Sequence, residues 1–143
     1  MSVRGDYLLV RVGDRQVGLR LVDVIEVADL TDVHTVPLRE PALRGVASAK
    51  GGLVPVIHLG ALLASEPCPP ERSGVGVLAA AGGALVCFEV DEADVVTGGM
   101  LRPVPPGETM PWALAVVQRG DDLVPILNLN TLRDRLAEAG TRS

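Results

Sequence analysis

Rings are scarce in this sequence: of 143 residues only Tyr7, Phe88 and Trp112 are aromatic. Nucleic acid is generally held by bases stacking on aromatic faces and by clustered Lys and Arg on the phosphates. With 13 Lys and Arg against 18 Asp and Glu, and a formal charge of −5, the chain is excluded from that class. Cysteine is also scarce. Cys68 and Cys87 form no C-x-x-C pair, so neither a disulfide framework nor a thiolate metal centre is expected, and the usage fits a reducing compartment. Long apolar runs are missing too. A bilayer span needs about 18 consecutive apolar residues, and the uncharged stretch 51–65 is broken by Pro55, His58 and Gly60. The first residues meet Asp6 before any apolar run and read as no signal peptide, so the cytoplasm is the expected location.

Aliphatic side chains are plentiful. The chain is 48% hydrophobic and 22% charged, far from the composition of a chain that cannot collapse. Its length suits a single domain, 1–143, that buries roughly two thirds of its unfolded surface around an almost purely aliphatic core. Sixteen glycines and 11 prolines punctuate short Val-rich runs at intervals of about ten residues, the cadence of an all-β barrel or sandwich. Strands are predicted at 7–12, 16–21, 31–36, 52–59, 74–80, 84–90, 113–119 and 122–128. Tight hairpin turns are predicted at Gly13-Asp14, Gly82-Gly83 and Gly120-Asp121. A C-terminal helix is expected over 131–139, capped by Asn130, with Leu132 and Leu136 on one face. Shorter helical turns are expected at 21–27 and 60–64. The proline-rich segment 65–73 reads as a linker.

The chain also repeats itself. Tyr-Leu-Leu-Val-Arg-Val-Gly at 7–13 aligns with Gly-Val-Leu-Ala-Ala-Ala-Gly at 76–82, and 17–27 aligns with 86–96 at the same offset. Leu-Val-Pro-Val-Ile-His-Leu at 53–59 returns as Leu-Val-Pro-Ile-Leu-Asn-Leu at 123–129. Proline inside a strand forfeits a ladder hydrogen bond, so its return at the same place implies the same edge or bulge in two equivalent units. Units of about 60 residues cannot support much core alone. The expectation is a pair of related five-stranded barrels packed together, with subdomain halves at 7–64 and 74–138 joined by 65–73.

Reactive residues form no catalytic or metal pattern. His34 and His58 belong to no H-x-x-x-H or H-E-x-x-H motif. Cys87 lies between Val86 and Phe88 with no adjacent base to lower its pKa, and so reads as core. No Gly-x-Ser-x-Gly elbow occurs, and Gly74-Val-Gly76 lacks the helix that a dinucleotide-binding turn requires. Asp91 and Glu92 are adjacent in a strand-like run and point to opposite faces, so they make no dyad. The residues predict no catalytic, cofactor or metal site. A binding module is the expectation, with an aliphatic groove between the barrels suited to the apolar face of a partner helix.

From about Tyr7 to Leu136 the ordered set of motifs resembles the CheW-like chemotaxis coupling family, which includes the regulatory domain of the CheA kinase. The matching pieces are 7–13, Val-Ile-Glu-Val at 24–27, Val36-Pro37, Gly45 to Gly51 leading into 54–59, Val90-Asp91, 103–105 and 123–129. The resemblance implies two SH3-like barrels and a non-enzymatic adaptor. Its implied partners are the signalling helices of chemoreceptors (methyl-accepting chemotaxis proteins) and the regulatory domain of a CheA-type kinase. It implies receptor contact at Val24, Glu26 and Lys50, kinase coupling at Gly45, and recruitment to receptor clusters at the inner membrane.

The chain departs from the family at two of these places. Ser48-Ala49-Lys50-Gly51 stands where Asn-Leu-Arg-Gly is usual, and His58 where Asp is usual. Lys keeps the positive charge of Arg and loses its planar fork of donors. Two alternatives follow: a divergent paralogue in a gliding or pilus motility pathway that binds receptor without activating the kinase, and a small-barrel enzyme or ligand-binding domain using His58 with Asp91 or Glu26.

Overall fold

The computed structural model describes residues 3–35, 40–107 and 110–134. Ten strands carry the fold: β1 (Val3–Val12), β2 (Arg15–Arg20), β3 (Val24–Asp29), β4 (Leu43–Ala49), β5 (Gly52–His58), β6 (Val75–Ala81), β7 (Ala84–Val90), β8 (Glu92–Arg102), β9 (Ala113–Arg119) and β10 (Asp122–Leu127). A 3-10 turn, Leu21–Asp23, precedes β3, and helix α1 (Leu59–Ala64) follows β5. The all-β class and the two five-stranded units agree with the sequence. Strand membership differs from expectation. β1 and β2 close a barrel with β10, β9 and β8, here the terminal barrel, while β3, β6, β7, β5 and β4 form the other sheet, the central barrel. Each repeat therefore gives its first hairpin to one barrel and its last three strands to the other. The halves 7–64 and 74–138 are not the two barrels.

Chain direction explains the exchange. β8 pairs antiparallel with β1 and so runs the same way as β2. For β3 to take that place it would have to start at the far end of the hairpin, about 20 Å from the end of β2 at ~3.3 Å per residue. The three-residue turn Leu21–Asp23 spans at most about 10 Å. β3 instead continues onto the free edge of β6. Asp91 alone links β7 to β8, and the same constraint sends β8 onto β1.

The repeat is visible in the register. Pro55 faces Val46 and Pro125 faces Val116. Each proline-bearing strand then pairs in parallel with the second strand of the other repeat's hairpin, Val56 beside Cys87 and Ile126 beside Gly18. The three predicted hairpin turns are present, since Val12 pairs with Arg15, Ala81 with Ala84 and Arg119 with Asp122. Other expectations need correction. The predicted helical turn 21–27 is helical only over Leu21–Asp23 and becomes β3. The predicted strand 31–36 contributes, as far as residue 35, a single bridge of His34 to Val46, and position 36 lies outside the described residues. Strands β4 and β8 went unread. Asn128, not Asn130, caps the C-terminal helix: its Oδ1 accepts from the Asn130 and Thr131 N–H groups. Of that helix residues 129–134 are described, so Leu136 lies beyond.

Nor does segment 65–73 separate the barrels, because it joins α1 to β6 within the central one. It is tied down along its length. Glu66 N–H donates to Ala61, Cys68 N–H to Pro41, and the Arg44 guanidinium to the carbonyls of Pro69 and Glu71.

The main core lies between the barrels. Leu8, Val10 and Leu19 from one side meet Val77, Ala79 and Phe88 from the other, and α1 adds Leu59, Leu62 and Leu63. Each barrel also has a small interior. In the terminal barrel Tyr7 is fully buried among Ala115, Val117 and Ile126. Two glycines make room for its ring: a Cβ on Gly18 would stand 3.0 Å from the Tyr7 Cδ2, and one on Gly99 only 2.6 Å from Cε1. Aliphatic side chains therefore do not fill both barrels, as the composition had suggested. The central barrel holds Val54, Val56, Leu78 and Cys87 instead.

Candidate interaction site

Repeat symmetry places Gly76 of β6 where Tyr7 stands in β1. The central barrel thus lacks a ring, and Leu30 part-fills the space, lying 2.7 Å from where a Gly76 Cβ would be. Its seam is also less completely zipped. In the terminal barrel β8 pairs with β9 through Leu101 and Arg102. In the central barrel β3 and β4 form no ladder, and the seam is held by the His34 to Val46 bridge, two backbone hydrogen bonds of 2.8 Å. Between the two strands opens a cleft of about 240 Å³. Ala47, Val54, Gly76, Leu78 and Cys87 line its floor, and exposed Glu26, Asp29 and Asp32 stand at its mouth.

All four residues implied by the resemblance lie on the strands of this seam or on the turn after β4, and two of them, Glu26 and Lys50, meet across the cleft. Glu26 is on β3. Lys50 occupies the two-residue turn between β4 and β5, where Ala49 pairs with Gly52 and both turn residues have positive φ, 51° at Lys50 and 79° at Gly51. The turn carries the ammonium across the cleft to 3.9 Å from Glu26 Oε2. Both side chains are 53% exposed, so the pair contributes under about 1 kcal/mol and a partner can displace it. Val24, two residues before Glu26, is half-buried and packs on the main core. Gly45 lies apart from the mouth. It is buried on β4 beneath the bridge, and a Cβ there would be 2.2 Å from the His34 carbonyl oxygen. Only glycine lets the two backbones come this close.

Asp29, Leu30, Asp32 and Ala47 show no grouping in the sequence, because the seam depends on β3 and β4, one read as a helical turn and the other unread. A second cluster also went unread. Arg44 Nε donates to Glu89 Oε1 at 2.8 Å, with the Glu89 side chain 1% and the Arg44 side chain 9% exposed. Ser73 N–H donates to the other Glu89 oxygen. His58 faces Glu89 in the parallel register. Its Nδ1 accepts the Ala61 N–H at 3.0 Å, which makes it the N-cap of α1, as Asn128 is for the C-terminal helix. Burial holds the imidazole below its usual pKa, with Arg44 acting in the same direction and Glu89 opposing. Asp91 is bonded to the Gly13 N–H and the Ser73 hydroxyl, and no hydrogen bond joins it to His58 among the described residues. Burial raises the Asp91 pKa, but the hydrogen bonds from Ser73 and Gly13 and the charge of Arg11 outweigh it, so the carboxyl stays below its ordinary value. Burial pushes the Cys87 thiol up to about 11, in keeping with its place in the core.

Comparison with known proteins agrees with the fold. The CheW-like domain profile matches residues 6–136, and the chain belongs to that family. A probable chemotaxis protein CheW of Rhizobium etli is 27% identical over 107 residues, covering 71% of this chain and 69% of that protein. The crystal structure of the scaffolding protein TtCheW from Thermoanaerobacter tengcongensis superposes with a TM-score of 0.77 at 18% identity, covering 91% of this chain and 88% of that one, and so shares its fold. No helix among the described residues is long and apolar enough to cross a membrane.

Proposed function

We propose that this chain is a non-catalytic coupling adaptor that joins the signalling helices of a chemoreceptor to the regulatory domain of a CheA-type histidine kinase, in the cytoplasm at receptor clusters. Membership of the CheW-like family across residues 6–136 carries the reading. The seam supports it locally: Glu26 and Lys50, separate in sequence, meet at an exposed cleft whose floor is apolar. Val24, Glu26 and Lys50 form the receptor side of the proposal. Gly45 serves the kinase side by keeping β4 against His34. The small-barrel enzyme reading receives no support, because the His58 ring nitrogen is engaged as a helix cap and Asp91 bonds elsewhere.

Titration with a receptor signalling-domain fragment and, separately, with a kinase regulatory domain tests the proposal. Saturable binding to both is expected. Binding to neither overturns it. Binding to receptor alone favours the divergent-paralogue reading, which the exchange of Arg for Lys50 and of Asp for His58 motivates.

A further inference from the structure

We propose that the mouth of the central barrel is a socket for one aliphatic side chain of a partner segment that carries Lys or Arg beside it. The inference rests on the coupling reading above and names the chemistry by which the receptor segment is recognised. Two independent observations meet at this place. The first is the missing ring. Tyr7 plugs the terminal barrel, the equivalent residue is Gly76, and the space above Val54, Leu78 and Cys87 stays open as a cleft of about 240 Å³. That volume lies below the roughly 300 Å³ at which small-molecule sites begin. It suits a single side-chain anchor, the usual form of an interface hot spot.

The second observation is charge. Glu26, Asp29 and Asp32 stand at the mouth, and Lys50 is the cation paired with one of them, at 3.9 Å. Among the described residues no salt bridge reaches Asp29 or Asp32. An aliphatic group entering here passes three carboxylates, so basic neighbours on the same segment gain charge pairing and acidic ones are repelled. A second copy of this chain, itself at −5, is a poor electrostatic match.

Two variants of the full chain test the socket, each first shown to melt as the parent does. Ala47→Leu fills the cleft from β4, and Asp29→Lys with Asp32→Lys reverses the rim without touching the interior. Calorimetric titration with the receptor signalling-domain fragment is expected to show parent affinity that falls with added salt. Ala47→Leu should weaken binding at least about tenfold, and the double reversal should do the same and remove the salt dependence. If Ala47→Leu fails to fold, the surface double variant decides. Should the parent bind while both variants bind equally well, the socket is overturned and the coupling reading stands. Parent binding that is indifferent to salt also overturns the charged rim. Absence of parent binding overturns the coupling reading and the socket together. Self-association of the chain that Ala47→Leu abolishes would put a second copy in the socket and overturn the proposal.

Discussion

The Arg44 guanidinium and the Glu89 carboxylate meet at 2.8 Å with both side chains almost wholly buried, and the same guanidinium holds the carbonyls of Pro69 and Glu71. One side chain thus neutralises a buried charge and fastens segment 65–73 to the central barrel. Replacing Arg44 by Ala leaves Glu89 buried without its counter-ion, a change that typically costs about 3–5 kcal/mol. Denaturant unfolding should register that loss, and limited proteolysis should find new cleavage within 65–73. Replacing Arg44 by Met together with Glu89 by Leu should recover much of the stability and leave the segment cleavable.

His58 makes stability respond to mild acid. Its folded pKa lies below the ordinary 6.5, so the unfolded chain takes up the proton first as pH falls. The stabilisation is complete above about 6.5 and is lost as pH drops through the folded value. A protonated Nδ1 also cannot accept from Ala61. Asn at this position, as the other repeat uses, should keep the cap and flatten the melting temperature between pH 8 and pH 5. An identical pH slope in parent and His58→Asn chains would sink the assignment.

Gly45→Ala should loosen the seam, because the added Cβ meets backbone at 2.2 Å and backbone cannot turn aside. A loss of about 1–3 kcal/mol is expected. Hydrogen exchange should accelerate at the His34 and Val46 amides before it does so in the terminal barrel.

Replacing Glu26 and Lys50 together by Ala removes an exposed pair and no buried group. Stability should change by less than about 1 kcal/mol. Affinity for the receptor fragment should fall, which separates their surface role from a structural one. Unchanged affinity would exclude them from the contact.

Hairpins were legible because tight turns require φ > 0 and Gly13, Gly82 and Gly120 stood between Val-rich runs. The repeat was legible too, through Pro55 and Pro125. Strand partnership was not, since two similar repeats say nothing about which hairpin accepts which trailing strands; chain direction and the three-residue link at Leu21–Asp23 decide that. β8 goes unread and β3 reads as a helical turn because both are largely exposed and lack a clean alternation of apolar and polar residues. Of the site, Glu26 and Lys50 came from family resemblance. The cleft between them is created by an absence, Gly76 in place of a ring, and becomes visible only when the two barrels are compared.

Cutting the chain within 65–73 would release no free-standing barrel. Residues before the cut hold β1 to β5 and those after it β6 to β10, and each barrel needs strands from both sets. The fragments would remain clasped, each the template on which the other is folded. Melting of one barrel strips the other of the core packed between them, so a partner seated at the β3–β4 seam stabilises the chain at its far ends as well.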